Sequence, residues 1–212
     1  MIKLQYCFRR LVFLLSTIGV VLFCSKAEAQ QSQLPFFAAD HPMIQYTGRI
    51  DFTNPKLPRF WQPGVYISIE FTGNRCEIIL NDEVLWRKNH NYLELVVDGV
   101  AKRMQTKSAH DTIVESSAKP HTLSLHKNTE ANIGYLELVG FRCQQLTEPS
   151  AKPVRKIEFI GNSITCGASA DPSEIPCGKG VWQDQHNAYL SYGAVTARTV
   201  NAQYHLSSVS GI

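Results

Sequence analysis

Apolar and polar residues alternate by twos over much of residues 40–145. The clearest stretch is Val65-Tyr66-Ile67-Ser68-Ile69-Glu70-Phe71, which ends at Thr72-Gly73-Asn74. Such alternation sends successive side chains to opposite faces of a half-buried strand. Thr72-Gly73-Asn74 reads as a turn into a second strand, Cys76 to Leu80. Tyr92 to Val97 runs into Asp98-Gly99 and leaves through Val100 to Thr106, the pattern of a tight hairpin. Met43 to Phe52, His121 to His126 and Ile133 to Phe141 supply further short strands. No helical period persists in this half, so the pattern predicts a β-sandwich or barrel.

The period changes after a polar, proline-bearing stretch, Thr147 to Pro153. Val154 to Ile160, apolar at Val154, Ile157, Phe159 and Ile160, is expected to be a continuous buried strand. Gly161 to Asn187 reads as a long loop, Ala188 to Asn201 as a helix, and Gln203 to Ser208 as a strand ending at Ser210-Gly211. Strand, loop, helix and strand make one β-α-β unit of a parallel sheet. The expected domains are 30–146 for the sandwich, 147–153 for the linker and 154–212 for the start of an α/β domain. A single β-α-β unit leaves strand edges unpaired, so residues 153–212 are expected to be marginal and aggregation-prone in isolation.

The first 29 residues carry a different signal. Lys3, Arg9 and Arg10 precede the apolar Leu11 to Phe23, and Ala27-Glu28-Ala29 has the small-residue form of a cleavage site. This predicts a secretory signal peptide cut after Ala29 and a secreted or periplasmic product. Leu11 to Phe23 is shorter than a membrane span, and bulky Phe23 before Cys24 disfavours a lipoprotein. Lys3, Arg9, Arg10 and Lys26 against Glu28 account for the whole net charge of +3, so the remainder is formally neutral. No basic patch is left for nucleic acid or an anionic membrane. An uncharged partner such as a polysaccharide suits that balance.

Four cysteines follow the signal: Cys76, Cys143, Cys166 and Cys177. Export permits disulfides. Cys166 and Cys177 bracket one loop and are the most economical pair, the alternative being four free thiols. No C-x-x-C or paired histidines accompany them, so no metal site or other cofactor is expected.

The residues that carry chemistry lie where the period changes. Ile157-Glu158-Phe159-Ile160 climbs into Gly161-Asn162-Ser163, which would deliver one hydroxyl to the end of a sheet, where α/β proteins bind ligands. Ser163 is the candidate nucleophile. Its own N–H and that of Gly211, from the turn after the neighbouring strand, are candidate oxyanion donors. Trp182, in the loop after Ser163, is a candidate for lining a sugar cleft, since indole faces suit the C–H faces of sugars. His186 and His205 read as packed or surface residues rather than as a general base. His41, His90, His110, His121 and His126 read as surface or hairpin residues. Glu158, Asp171, Glu174 and Asp184 show no glycosidase-like pairing and read as solvated charges.

Gly161-Asn162-Ser163-Ile164-Thr165 resembles the Gly-Asp-Ser block of SGNH (GDSL-type) esterases, and Ser210-Gly211 resembles their second block. Pro58-Arg59-Phe60-Trp61-Gln62-Pro63-Gly64 and the Tyr92 to Gly99 segment are similar to the N-terminal jelly roll of carbohydrate esterase family 2. Ala188-Tyr189, Tyr192-Gly193-Ala194 and Ala197-Arg198 fit that family's first helix. The resemblance implies a jelly roll followed by an α/β/α SGNH domain, a flavodoxin-like fold. It also implies an O-acetyl esterase acting on xylan or similar polysaccharides through a Ser-His dyad or triad, without a metal. Asn162 stands where that family usually has Asp, a structural position in which Asn can make similar turn bonds. The family's catalytic His lies further along than Ile212, so this chain is expected to be a fragment, inactive alone. The competing reading is a non-catalytic carbohydrate-binding sandwich with a vestigial hydrolase segment.

Overall fold

The computed structural model describes residues 34–106, 110–114 and 119–211. The expected signal peptide lies outside them. Nine strands come first: β1 (Phe36–Ala38), β2 (Gln45–Thr47), β3 (Arg59–Phe60), β4 (Tyr66–Asp82), β5 (Tyr92–Val97), β6 (Val100–Gln105), β7 (His110–Val114), β8 (His121–Lys127) and β9 (Leu136–Thr147). They form one sheet in the order β1-β9-β4-β8-β5-β6, with β2 and β7 also on β4 and β3 on β9. Every pairing in it is antiparallel.

The organising element is β4. It is one strand of 17 residues, not two strands around a turn. Thr72-Gly73-Asn74 does not reverse the chain. Gly73 takes φ +101°, and the register against β9 slips between Thr72 and Cys76. Extra residues on one strand bend it without ending it. The bent strand has β2 then β9 along one edge, and β8 then β7 along the other. The hairpin at Asp98-Gly99 forms as its residues predict, both with positive φ (50° and 82°).

Alternate residues of β4 (Ile67, Ile69, Phe71, Cys76, Ile78 and Leu80) turn inward. They meet Leu93, Leu95, Leu123, Leu125, Leu136, Leu138, Phe141 and Cys143 in one core. Cys76 sits directly opposite Cys143 across β4 and β9. All four described cysteines are free thiols. The expected Cys166–Cys177 disulfide is not formed: Cys166 is buried and its thiol donates to Ser208 Oγ at 3.2 Å, whereas Cys177 is exposed.

The β-α-β unit follows: β10 (Lys156–Gly161), α1 (Ser163–Cys166), α2 (Tyr192–Thr199) and β11 (Gln203–Ser208). The strands pair in parallel over six residues, from Lys156 opposite Gln203 to Gly161 opposite Ser208. The stretch expected as loop holds α1 and a 3-10 turn at Trp182–Gln185. The expected helix divides into a 3-10 turn, Ala188–Leu190, and α2. Ser191 separates them as the N-cap of α2, accepting from the Ala194 N–H. Ala188, Ala194, Ala197, Tyr204 and Leu206 form a second core, with Ile157 and Phe159 packed on it. The opposite face of β10 is open. Ile160 is 79% exposed, so this apolar strand is covered on one face rather than buried on both.

The two sheets belong to one compact unit, residues 34–212, and a buried polar network joins them. Arg103 Nη2 donates to the carbonyls of Asp184 (2.7 Å) and His186 (3.0 Å). Tyr92 Oη donates to Asp184 Oδ1 (2.9 Å). Asn128 and Asn187 both donate to Glu94 Oε2 (3.1 and 3.0 Å). Asp171 and Asp184 are buried members of this network rather than solvated loop charges. The stretch after β9 is also pinned: Ser150 N–H donates to Glu70 (2.8 Å) and Gln45 to the Ser150 carbonyl (3.0 Å).

Candidate functional site

Ser163 is the first residue of α1, immediately beyond the end of β10. Asn162 is the N-cap, and its Oδ1 accepts from the Ile164 N–H at 3.2 Å. That is the turn bond the sequence assigned to it. Gly167 closes the single helical turn in the left-handed region, and its N–H returns to the Ile164 carbonyl. The result is a rigid strand, a capped turn and a half-buried serine. Among the described residues nothing hydrogen-bonds Ser163 Oγ, and its N–H has no acceptor.

The second turn lies at the same end of the sheet. Gly161 is opposite Ser208, and the Val209 N–H donates to the Gly161 carbonyl at 3.3 Å. Ser210 and Gly211 follow. Gly211 has φ +88° with open space where a Cβ would stand, and its N–H has no described acceptor. The turns carrying Ser163 and Gly211 are therefore neighbours, each with a free donor.

The sequence reading missed what stands behind them. Lys127, the last residue of β8, and Asn128, Thr129 and Glu130 after it are all buried. Lys127 Nζ donates to the carbonyls of Thr129 (2.7 Å) and Glu130 (3.2 Å) and to Thr129 Oγ1 (3.2 Å). Burial lowers its pKa to about 7. The Glu130 carboxylate accepts from the Ser210 N–H at 2.8 Å and from the Ser210 hydroxyl. A run of four polar residues across the end of β8 was the only hint, and composition alone cannot tell buried from solvated.

His186 is wholly buried, with Nδ1 3.9 Å from Glu130 Oε1 and no hydrogen bond at either ring nitrogen. Burial pushes its pKa down to about 4, against the pull of Glu130. A sealed imidazole is a packed residue, as expected, and not a base for Ser163. Trp182 is 49% exposed, its ring set edge-on to His186 with centroids 4.2 Å apart. His126 and His121 are buried rather than at the surface. His126 bonds Tyr204 Oη (2.8 Å), and burial lowers its pKa to about 3. His121 bonds Asp98 (2.6 Å).

A cavity of about 440 Å³, lined by Tyr66, His126, Tyr189, Arg198 and Tyr204, opens at the other end of β10 and β11, beside Pro153 and Asn201. It is separate from the Ser163 turn. Among the described residues no cluster of ligating side chains could hold a metal ion, and no helix is long and apolar enough to cross a membrane.

Residues 46–153 match the family model described as carbohydrate esterase 2 N-terminal. The chain is 33% identical over 197 residues to the cellulase/esterase CelE of Acetivibrio thermocellus, covering 87% of this chain and 22% of that protein. It is 31% identical over 157 residues to an acetylxylan esterase/glucomannan deacetylase of Cellvibrio japonicus, covering 70% and 41% respectively. A family two carbohydrate esterase from Clostridium thermocellum, solved with cellohexaose, superposes with a TM-score of 0.69 at 30% identity, over 80% of this chain and 52% of that one. A family two esterase from Cellvibrio japonicus shares the fold, with a TM-score of 0.72 at 23% identity, over 84% and 52%. The chain thus spans about half the length of its solved relatives and less of the curated ones. By its N-terminal domain, whose bent β4 carries the core and whose loop at Glu130 holds the second turn, this chain belongs to carbohydrate esterase family 2.

Proposed function

We propose that the chain is the front part of an exported carbohydrate O-acetyl esterase: a jelly roll followed by the start of an SGNH-type α/β/α domain. Ser163 Oγ attacks the acetyl carbonyl, and the N–H groups of Ser163 and Gly211 hold the oxyanion of the tetrahedral intermediate. The sugar hydroxyl leaves with a proton, giving an acetyl-enzyme. Water then attacks the ester, releasing acetate and restoring Ser163. Serine needs a general base at neutral pH. No described histidine bonds Ser163 Oγ, and we assign the base to a histidine outside these 212 residues, in the part by which the relatives are longer. Acetylated xylan or a similar polysaccharide is the proposed substrate, with Trp182 offering a half-exposed indole to sugar rings.

The observation that carries this reading is the in-register parallel pair, which sets the Ser163 turn and the Gly211 turn side by side with free donors. The test is acetate release from acetylated xylan by the protein expressed from its complete reading frame. Release should be lost in Ser163→Ala while binding to the polysaccharide persists.

A second reading, in which the antiparallel domain binds glucans and the β-α-β unit is vestigial, is favoured by the relative solved with cellohexaose. The same assay separates the two. Retained binding with no acetate release from the wild type supports the binder.

A further inference from the structure

We infer that Glu130, a carboxylate of the antiparallel domain, is a positioning residue for the oxyanion site: it fixes the Ser210-Gly211 turn and so places the Gly211 N–H. The inference rests on the reading of Ser163 and Gly211 given above.

The β-α-β unit holds its own second turn only as far as Val209, whose N–H reaches the Gly161 carbonyl. Beyond it, Ser210 is held by two hydrogen bonds to the Glu130 carboxylate. Oε2 takes the Ser210 N–H at 2.8 Å and Oε1 takes its hydroxyl. Two bonds from one carboxylate to one residue set orientation as well as distance. Glu130 is itself immobilised. It is 1% exposed, its carbonyl accepts from Lys127 Nζ and the Ile133 N–H (3.2 and 3.1 Å), and Thr129 beside it bonds Asn91 at 2.5 Å. A path of hydrogen bonds thus runs from the antiparallel domain through Glu130 to Ser210, the residue before the donor. Oxyanion donors act only when held where charge develops, and small displacements cost large factors in rate.

The role is geometric, because a negative charge near an oxyanion does not stabilise it. That gives a discriminating pair of variants. A glutamine keeps both bonds, with Oε1 accepting the Ser210 N–H and Nε2 donating to the hydroxyl oxygen. An alanine keeps neither. In the protein from the complete reading frame, Glu130→Ala should lower kcat about ten- to hundredfold with KM within about twofold, while Glu130→Gln should stay within about threefold of wild type. Ser210→Ala, which removes one bond and keeps the backbone one, should lower kcat about threefold and lower the melting temperature by only about a few degrees. If Glu130→Ala does not fold, the Gln and Ser210→Ala variants decide. Full kcat in Ser210→Ala, or a Glu130→Gln as impaired as the alanine variant, overturns the positioning role; so does a loss confined to KM. Ser163→Ala is run alongside. Activity surviving in it sinks the nucleophile assignment itself. Activity abolished there but unchanged in the Glu130 variants sinks only this inference.

Discussion

Asn187 donates to Glu94 Oε2 at 3.0 Å, joining the loop after α1 to β5 through a buried carboxylate. Asn187 also donates to Asp171 Oδ2 at 3.0 Å, and Asn128 supplies a second donor to Glu94. One amide thus bridges two carboxylates at the contact between the sheets. Asn187→Ala removes both bonds and leaves buried acceptors underpaired. It should destabilise the protein by about 2–4 kcal/mol, read from the midpoint of urea unfolding. An unchanged midpoint would show that the network contributes nothing to holding the two parts together.

Acid should weaken the fold through two histidines. Burial holds His126 and His186 well below the ordinary histidine range, at about 3 and 4. The unfolded chain, titrating near 6.5, therefore binds more protons between those values. Their contribution is present above about pH 6.5 and lost as pH falls toward 4. Glu94, raised by burial, runs the other way in the carboxylate range. Unfolding midpoints should fall between pH 7.5 and 5.0, with a smaller fall in His186→Leu, which also deletes two orphaned nitrogens.

Gly167 is fixed by both conformation and space. Its φ is +77°, and a Cβ would lie 2.3 Å from the Asn187 carbonyl oxygen. Gly167→Ala should cost at least about 2 kcal/mol and displace α1, lowering activity with stability. A fully stable, fully active alanine variant would mean that the turn carrying Ser163 is softer than described.

The thiols give a direct check on the cysteine assignment. Cys177 is exposed, while Cys76, Cys143 and Cys166 are buried. Burial raises the Cys166 thiol to about 12, and the facing Cys143 thiol together with burial raises that of Cys76. In native protein a water-soluble thiol reagent should modify Cys177 quickly and the other three only after denaturation. Protection of Cys177 in non-reducing buffer, released by reductant, would restore the Cys166–Cys177 bridge.

Elements governed by local pattern were legible in the sequence. The Asp98-Gly99 hairpin, the change of period after Pro153 and the Asn162 cap each follow from residues close in the chain. Gly73 misled because glycine serves turns and bulges alike, and only the partner strand decides between them. Asp171 and Asp184 misled for a related reason. Polar residues are buried when distant partners satisfy them, and those partners, Asn187, Arg103 and Tyr92, are 16, 81 and 92 residues away along the chain. The Cys166–Cys177 expectation used proximity in sequence, which does not say that one thiol is buried and the other exposed.

The assignment of Ser163 as the nucleophile is tested by mass spectrometry of the protein from the complete reading frame after reaction with a fluorophosphonate, which forms a stable phosphonyl ester with an activated serine. One adduct is expected, on the tryptic peptide that begins after Lys156 and contains Ser163, with parallel loss of acetate release and no adduct in Ser163→Ala. An adduct on another residue, or acetate release that survives in Ser163→Ala, would contradict it.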